Sequence, residues 1–343
     1  MPLDAVASLM LDEAGPLPPI VLILEDAGGA LTRAALDAGC EVRTSCDDLR
    51  DELEVPERCR VDGPTPDVLA GVGLVLWRLP KSLGEVEETA QALAAAAEPG
   101  LRVVAGGRVK HMTRAQNDVL ARSFAHVRAS LGRQKSRVLH AAGPLPGAAR
   151  WPQRRPLPEL GLEVVAHGAA FASNRLDAGT ALLVRALDEA RPDPGPVAVD
   201  LGCGSGILAV WLAGHGFEVT ATDVSRAAVE STRATAEANG VRVETIRTDG
   251  VAGLTPGSVD LVVTNPPFHR GTSKDTTDTL AMFTSAAAAL APGGELWVVW
   301  NAHLPYLPEL RRRVGPTTIE ARDRSYVVSR SLRRPRSGAG DRP

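Results

Sequence analysis

The chain has 343 residues, 44% of them hydrophobic, and a formal net charge of -3. That is enough apolar material for two cores, so two domains are expected. No run approaches the ~20 apolar residues of a membrane span, and the amino terminus, with Asp4, Asp12 and Glu13, lacks a basic signal region, so a cytosolic protein with no membrane partner is expected.

The first strand-like run in chain order is Val21-Leu-Ile-Leu-Glu-Asp26-Ala-Gly28-Gly-Ala30-Leu31. It is followed by Val72-Gly-Leu-Val-Leu-Trp-Arg78-Leu-Pro80-Lys81 and by Gly100-Leu-Arg-Val-Val-Ala105. Residues 101–160 then carry twelve Lys or Arg against Asp118 and Glu159, a net of +10, while the rest of the chain carries -13. A local basic block on an acidic protein is what phosphate contacts require. Arg108, Lys110 and Arg114 are therefore candidate RNA contacts, the alternative being a solvated helix face. Residues 143–160 are Pro-rich and read as a linker. Cys40, Cys46, Cys59 and Cys203 show no paired ligand spacing, so reduced thiols and no metal site are expected.

The carboxyl half opens with Val197-Ala-Val-Asp200-Leu-Gly202-Cys-Gly204-Ser-Gly206-Ile-Leu208. A short apolar strand here enters a glycine-rich turn that starts a helix, the context in which such a motif carries meaning. Ile207 stands where a dinucleotide fingerprint needs its third glycine, which disfavours a nicotinamide cofactor. Phe217-Glu-Val-Thr-Ala-Thr-Asp223 reads as the second strand, its terminal acid suited to a ribose diol. Ser225 caps a helix running to Asn239-Gly240. The strand near 241–247 ends close to Asp249, which is placed to meet an adenine amine. Together these segments resemble the S-adenosylmethionine site of a class I methyltransferase.

The run Val259-Asp-Leu-Val-Val-Thr264 leads straight into Asn265, Pro266, Pro267 and Phe268. Prolines cannot donate to a sheet ladder and fix φ, so the strand stops abruptly in a stiff loop. Asn265 precedes a proline and is pushed toward an extended conformation. Its side-chain amide and the Pro266 carbonyl can then both accept from one NH₂ group. Two such bonds would orient the weak lone pair of an exocyclic base amine and stabilise the charge developing on nitrogen. Phe268 reads as a stacking surface for a planar substrate, with core filling as the alternative. His269 reads as a hydrogen-bonding or phosphate-side residue, since the amine can lose its proton after transfer. The tetrapeptide resembles the amino-methylation signature.

The two halves repeat. Residues 21–31 can be laid on 197–207 without a gap, so that Asp26 and Ala30 replace Gly202 and Gly206. Residues 72–81 fall on 259–268, with Arg78 replacing Asn265 and Lys81 replacing Phe268, and Gly100 to Ala105 fall on 294–299. An Asp side chain where glycine should yield to a ligand would block cofactor entry.

The chain resembles the bacterial ribosomal RNA guanine-N2 methyltransferases of the small-subunit type C and large-subunit type G families. The resemblance covers nearly the whole chain. It is carried by Leu79-Pro80-Lys81, Gly168-Ala-Ala-Phe171 with Leu176-Asp177-x-Gly179-Thr180, the glycine turn, Asn265-Pro-Pro-Phe-His269-x-Gly271, and Asn301-Ala-His-Leu-Pro305-Tyr306. The basic stretch from Arg108 to Arg137 and the Pro-rich link have no clear counterpart. The resemblance implies S-adenosylmethionine as cofactor, ribosomal RNA or a ribosomal subunit as partner, and Phe171 and Asp177 in a segment that covers the cofactor. It also implies α/β architecture: two tandem doubly wound Rossmann-like methyltransferase domains, the first degenerate. The expected divisions are a degenerate domain over 1–142, a linker over 143–160, a catalytic domain over 161–333 and a disordered tail over 334–343. Seven strands are expected in the catalytic domain, the last two forming a hairpin around Asp323-Arg324. Other readings share parts of the pattern: adenine-N6 or glutamine-N5 methylation, a non-catalytic RNA-binding assembly factor, and an oxidoreductase. The sequence sets no oligomeric state.

Overall fold

A computed structural model describes residues 3–170, 175–193, 195–266 and 273–334, with the backbone alone over 273–276. The chain forms two compact units, the first of Met1–Pro152 with His167–Ala169 and the second of Gln153–Ala166 with Ala170–Pro343. In unit 1, β1 (Ile20–Leu24), β2 (Glu41–Ser45), β3 (Leu74–Arg78), β4 (Arg102–Arg108), β5 (Phe124–Ala129) and β6 (Ser136–Pro144) make one sheet in the order β2-β1-β3-β4-β6-β5. The first four are parallel, and β6 runs antiparallel to both β4 and β5. The apolar runs of β1 and β3 follow from burial on both faces. Val21, Ile23, Leu74 and Leu76 pack on one face with helix Ala5–Ala14, whereas Leu22, Val75 and Trp77 pack on the other with helix Leu83–Ala96.

Unit 2 begins with a hairpin of β7 (Gln153–Leu157) and β8 (Leu162–Ala166), which packs on helix Arg226–Ala238. The Val165 amide donates to Thr235 Oγ1 at 3.0 Å there. The stretch 143–160, expected as a linker, is partly strand: Gly143 and Pro144 finish β6, and Gln153–Leu157 form β7. Pro156 is tolerated because β7 pairs with β8 alone, leaving its other edge without a ladder to break. The main sheet contains β9 (Val197–Leu201), β10 (Glu218–Asp223), β11 (Val243–Arg247), β12 (Val259–Thr264), β13 (Leu290–Asn301), β14 (Thr317–Arg322) and β15 (Tyr326–Leu332). Its order is β11-β10-β9-β12-β13-β15-β14, and β15 is its single antiparallel strand, as the hairpin around Asp323-Arg324 requires.

Both units are doubly wound α/β folds, and the order in unit 1 is that of unit 2 without the outer strand β11. Where β11 would stand, a lone parallel bridge joins Thr44 to Arg60. Pro56, Pro64 and Pro66 interrupt that stretch, leaving short helical turns at Leu49–Leu53, Glu57–Cys59 and Pro66–Leu69. Residues 335–343, most of the expected tail, lie outside the described residues.

Candidate active site

The site in unit 2 is built on three strand ends. At the end of β9 the chain turns through Gly202, Gly204 and Gly206, whose φ values are 77°, 53° and 82°. These are left-handed conformations that side chains rarely adopt. A Cβ on Gly206 would also lie 2.8 Å from the Thr232 backbone, so helix Ile207–Gly214 and helix Arg226–Ala238 meet closely only because this residue is glycine. The Gly202 and Cys203 amides donate to the Thr222 carbonyl at 2.8 and 3.0 Å, tying the turn to β10. Thr264 Oγ1 donates to the Leu201 carbonyl at 2.7 Å, tying it to β12.

Asp200 is wholly buried on β9. Its Oδ2 accepts from the Ala209 amide at 2.9 Å, in the first turn of the following helix. Its Oδ1 is a buried acceptor with no partner among the described residues. Burial raises this carboxyl to about 7, with a lesser push from the Asp223 charge and against the bond from Ala209. At the end of β10, Asp223 accepts from the Gly204 amide at 3.1 Å and from Ser225 at 2.9 Å, so its carboxylate bridges the glycine turn and the start of the next helix. Asp249 lies exposed, two residues beyond β11 at the same edge of the sheet.

Asn265 follows β12 directly. Its Nδ2 donates to Thr180 Oγ1 at 2.9 Å and to Asp177 Oδ2 at 3.2 Å. The orientation of the amide follows from chemistry: an ionised carboxylate can only accept, so the atom facing Asp177 must be the nitrogen. Oδ1 is then the acceptor left for a ligand N–H, and the carboxylate at the amide nitrogen increases its polarity. Asp177 also caps helix Ala178–Ala190, its Oδ2 accepting from Gly179 at 2.9 Å and Thr180 at 3.3 Å. One carboxylate thus fixes both a helix start and the Asn265 side chain.

Asp177, Thr180, Gly202, Gly204, Ile207 and Asn265 line one cavity at the carboxyl ends of the strands, the ligand position expected for an open α/β sheet. A larger cleft beside Asp188, Trp211 and His215 lies by Pro196, at the opposite end of β9, and holds none of these residues. Pro266 is buried after Asn265, whereas Phe171, Pro267, Phe268 and His269 lie outside the described residues. The roles of Thr180 and Thr264 were not read from the sequence. Thr180 sits in the Asp177-x-Gly179-Thr180 cluster, where a cap followed three residues later by a hydroxyl was the available signal.

The residues present fit S-adenosylmethionine: a glycine turn open to close approach, an orphaned buried Asp200 oxygen, and an acid ending the second strand. The fold and site are those of a class I S-adenosylmethionine-dependent methyltransferase. Residues 161–330 match the Methyltransferase small domain, and residues 4–144 match the RLMG N-terminal domain. Proteins called Ribosomal RNA large subunit methyltransferase G are similar over much of the chain. The one from Streptomyces avermitilis is 36% identical over 93% of this chain and 88% of its own length, and that from Stutzerimonas stutzeri is 38% identical over 91% and 87%. The protein from Streptomyces coelicolor is 40% identical over 79% and 74%. This chain belongs to the ribosomal RNA large subunit methyltransferase G family. The 16S rRNA N2 G1207 methyltransferase of T. thermophilus, solved with AdoMet and guanosine, shares the fold with a TM-score of 0.79 at 22% identity, over 96% of this chain and 92% of that one.

Unit 1 has the same framework with different contents. Asp26, in the place of Gly202, is fully buried, and its carboxylate accepts from the Leu31 and Thr32 amides at 3.1 and 2.8 Å. Arg78, in the place of Asn265, donates to Asp4 Oδ2 at 2.9 Å. Among the described residues no group of three or more His, Cys, Asp or Glu could hold a metal ion, and no helix is long and apolar enough to cross a membrane.

Proposed function

We propose that this protein transfers a methyl group from S-adenosylmethionine to the exocyclic N2 amine of a guanine in ribosomal RNA, with the large subunit as the source of that RNA. The observation that carries the reading is the Asn265 amide at the cavity, whose nitrogen is taken up by Asp177 and Thr180 so that its oxygen is the acceptor left for a ligand. The bound cofactor supplies an electrophilic methyl on sulfonium. Asn265 Oδ1 and the Pro266 carbonyl accept from the amine hydrogens, which aims the nitrogen lone pair and stabilises the charge that grows on it. No base is needed, because the methylated nitrogen is acidic and releases its proton to water. Asp223 would hold the ribose of the cofactor and Asp249 its adenine, with Asp200 serving the methionine end and Phe171 covering the group. Pro267, Phe268 and His269 receive the flipped base.

The names of the relatives support ribosomal RNA as substrate, and Arg108, Lys110 and Arg114 on unit 1 are suited to its phosphates, being exposed and without carboxylate partners among the described residues. The test is mass spectrometry of ribosomal RNA nucleosides from cells with and without the gene, together with transfer by the purified protein. A specific loss of N2-methylguanosine is expected. Unchanged N2-methylguanosine, with loss of an N6-methyladenosine in its place, would overturn the reading.

A further inference from the structure

The hairpin that closes unit 1 differs from its duplicate in unit 2 in one respect. In unit 2 the turn between β14 and β15 is only Asp323 to Ser325, and Asp323 closes it by accepting from the Ser325 and Tyr326 amides, both at 2.7 Å. In unit 1 the connection between β5 and β6 runs from Ser130 to Lys135, twice as long. The two tips are equivalent in the fold. Ser325 accepts from the Ala302 amide just past β13 at 2.8 Å, and Lys135 accepts from the Val109 amide just past β4 at 2.9 Å. The shorter version shows that the sheet can be closed without the extension.

The extension is a built structure. Ser130 donates its amide to the Val138 carbonyl at 2.9 Å, and Ser130 Oγ accepts from the Val138 amide at 3.2 Å, so a side chain completes the ladder where the backbone leaves it. Leu131 and Gly132 then bulge out opposite Arg137, and Arg133 and Ser136 close the tip with paired bonds of 2.9 and 2.8 Å. The two residues of the tip, Gln134 and Lys135, have φ of 50° and 59°, a primed turn that strongly favours Asn-Gly. Long side chains held in that conformation are a departure calling for a functional reason.

The surface so made is both apolar and cationic. Leu131 is 90% exposed and Val109 41%. Around them stand Arg108, Lys110 and Lys135, all exposed and none with a carboxylate partner among the described residues, while Arg133 is ion-paired with Asp12. The Arg108 guanidinium donates to the Gln134 carbonyl at 3.2 Å, which joins the tip to the cations at the end of β4. Positive charge without acidic partners selects a polyanion, and an exposed leucine among such charges suits the apolar face of an unstacked base or sugar.

We infer that the β5–β6 hairpin of unit 1 is an RNA-contacting finger, with Lys135 on phosphate and Leu131 against an unstacked nucleoside. This rests on the proposed action on ribosomal RNA and adds an element and residues to it. The test uses the full chain, ribosomal RNA purified from cells lacking the protein, and two variants. Gln134→Asn with Lys135→Gly supplies the preferred turn residues while removing the charge, so it should melt no lower than the parent. Leu131→Ser removes the apolar contact at a fully solvated position. Both should raise the KM for RNA several-fold with S-adenosylmethionine affinity as in the parent, and the first should flatten the dependence of log K on log salt by about 0.7–0.9 for the one phosphate it no longer neutralises. Parent-like KM and salt slope in both variants would overturn the assignment. A defect seen on assembled subunits and absent on protein-free RNA would make the occupant a ribosomal protein, and overturn it equally. If the parent binds S-adenosylmethionine yet methylates no ribosomal RNA, the functional reading falls and takes this inference with it.

Discussion

Asn265 has a conformational problem that its neighbours solve. A free side-chain amide can present either its nitrogen or its oxygen to a ligand, and only the oxygen can accept from an amine. Asp177 and Thr180 take up the nitrogen, so the oxygen is left as the acceptor before any ligand arrives. Asn265→Ala should therefore leave cofactor affinity near that of the parent and lower single-turnover methyl transfer by ~10²–10³. Thr180→Val keeps the helix and removes one of the two restraints. Its expected effect is that of one hydrogen bond, about 0.5–1.5 kcal/mol, or about two- to tenfold in rate. Parent-like rates in both variants would show the amide to be structural. Asp200 adds a pH dependence. Its carboxyl is raised to about 7, so it is largely neutral at pH 6 and ionised at pH 8. Binding of a cofactor with a cationic methionine end should be tighter at pH 8 when followed by calorimetry, and Asp200→Asn should flatten that profile.

At the scale of elements, the duplication preserved a contact and changed its chemistry. Asp177 caps a helix and holds Asn265 at the end of β12; Asp4 caps helix Ala5–Ala14 and holds Arg78 at the end of β3. The cap is kept because a helix start needs it, whereas the partner is an amide in unit 2 and a cation that neutralises the cap in unit 1. Leu24 and Asp26 replace Asp200 and Gly202, so helix Ala30–Asp37 takes its carboxylate from the turn itself. Nearby, burial and the Asp47 charge raise Glu25 to about 8, and burial and the Glu25 charge raise Glu85 to about 9, from an ordinary 4.5. A raised carboxyl contributes stability that is complete below the ordinary value and is lost as pH climbs through the folded one. Glu85→Gln should accordingly melt close to the parent at pH 4.5 and above it at pH 9, and equal melting at both would remove the coupling. Strand positions were legible in the sequence wherever apolar runs ended at a glycine turn or a Pro-Pro pair, as at Gly202 and Asn265. β7 was hidden because Pro156 argues against a strand unless its edge is free. The Asn265–Asp177 bond spans 88 positions, and no local pattern reveals such a contact.

Over the whole molecule the net charge of -3 conceals an uneven distribution, +10 over residues 101–160 against -13 elsewhere. The glycine turn, Asp200, Asp223 and Asn265 all belong to unit 2, and most of the basic block belongs to unit 1. Several cations of that block have structural duties: Arg102 bonds the Ala14 carbonyl, Arg122 and Arg150 face Glu87, and Arg133 pairs with Asp12. Arg108, Lys110 and Arg114 face no carboxylate among the described residues, so replacing them with Gln removes charge without breaking an ion pair. Stability should stay within about 0.5 kcal/mol of the parent, as is usual for exposed positions, and S-adenosylmethionine affinity should not change. RNA binding should weaken across sequences, with the slope of log K against log salt reduced by up to ~0.7–0.9 for each phosphate that is no longer neutralised. Binding isotherms on ribosomal RNA at several salt concentrations, read beside a methylation assay, make the test. If the triple variant methylates its RNA as well as the parent at physiological salt, the basic block is a solvated surface, and the first unit serves stability or assembly in place of recognition.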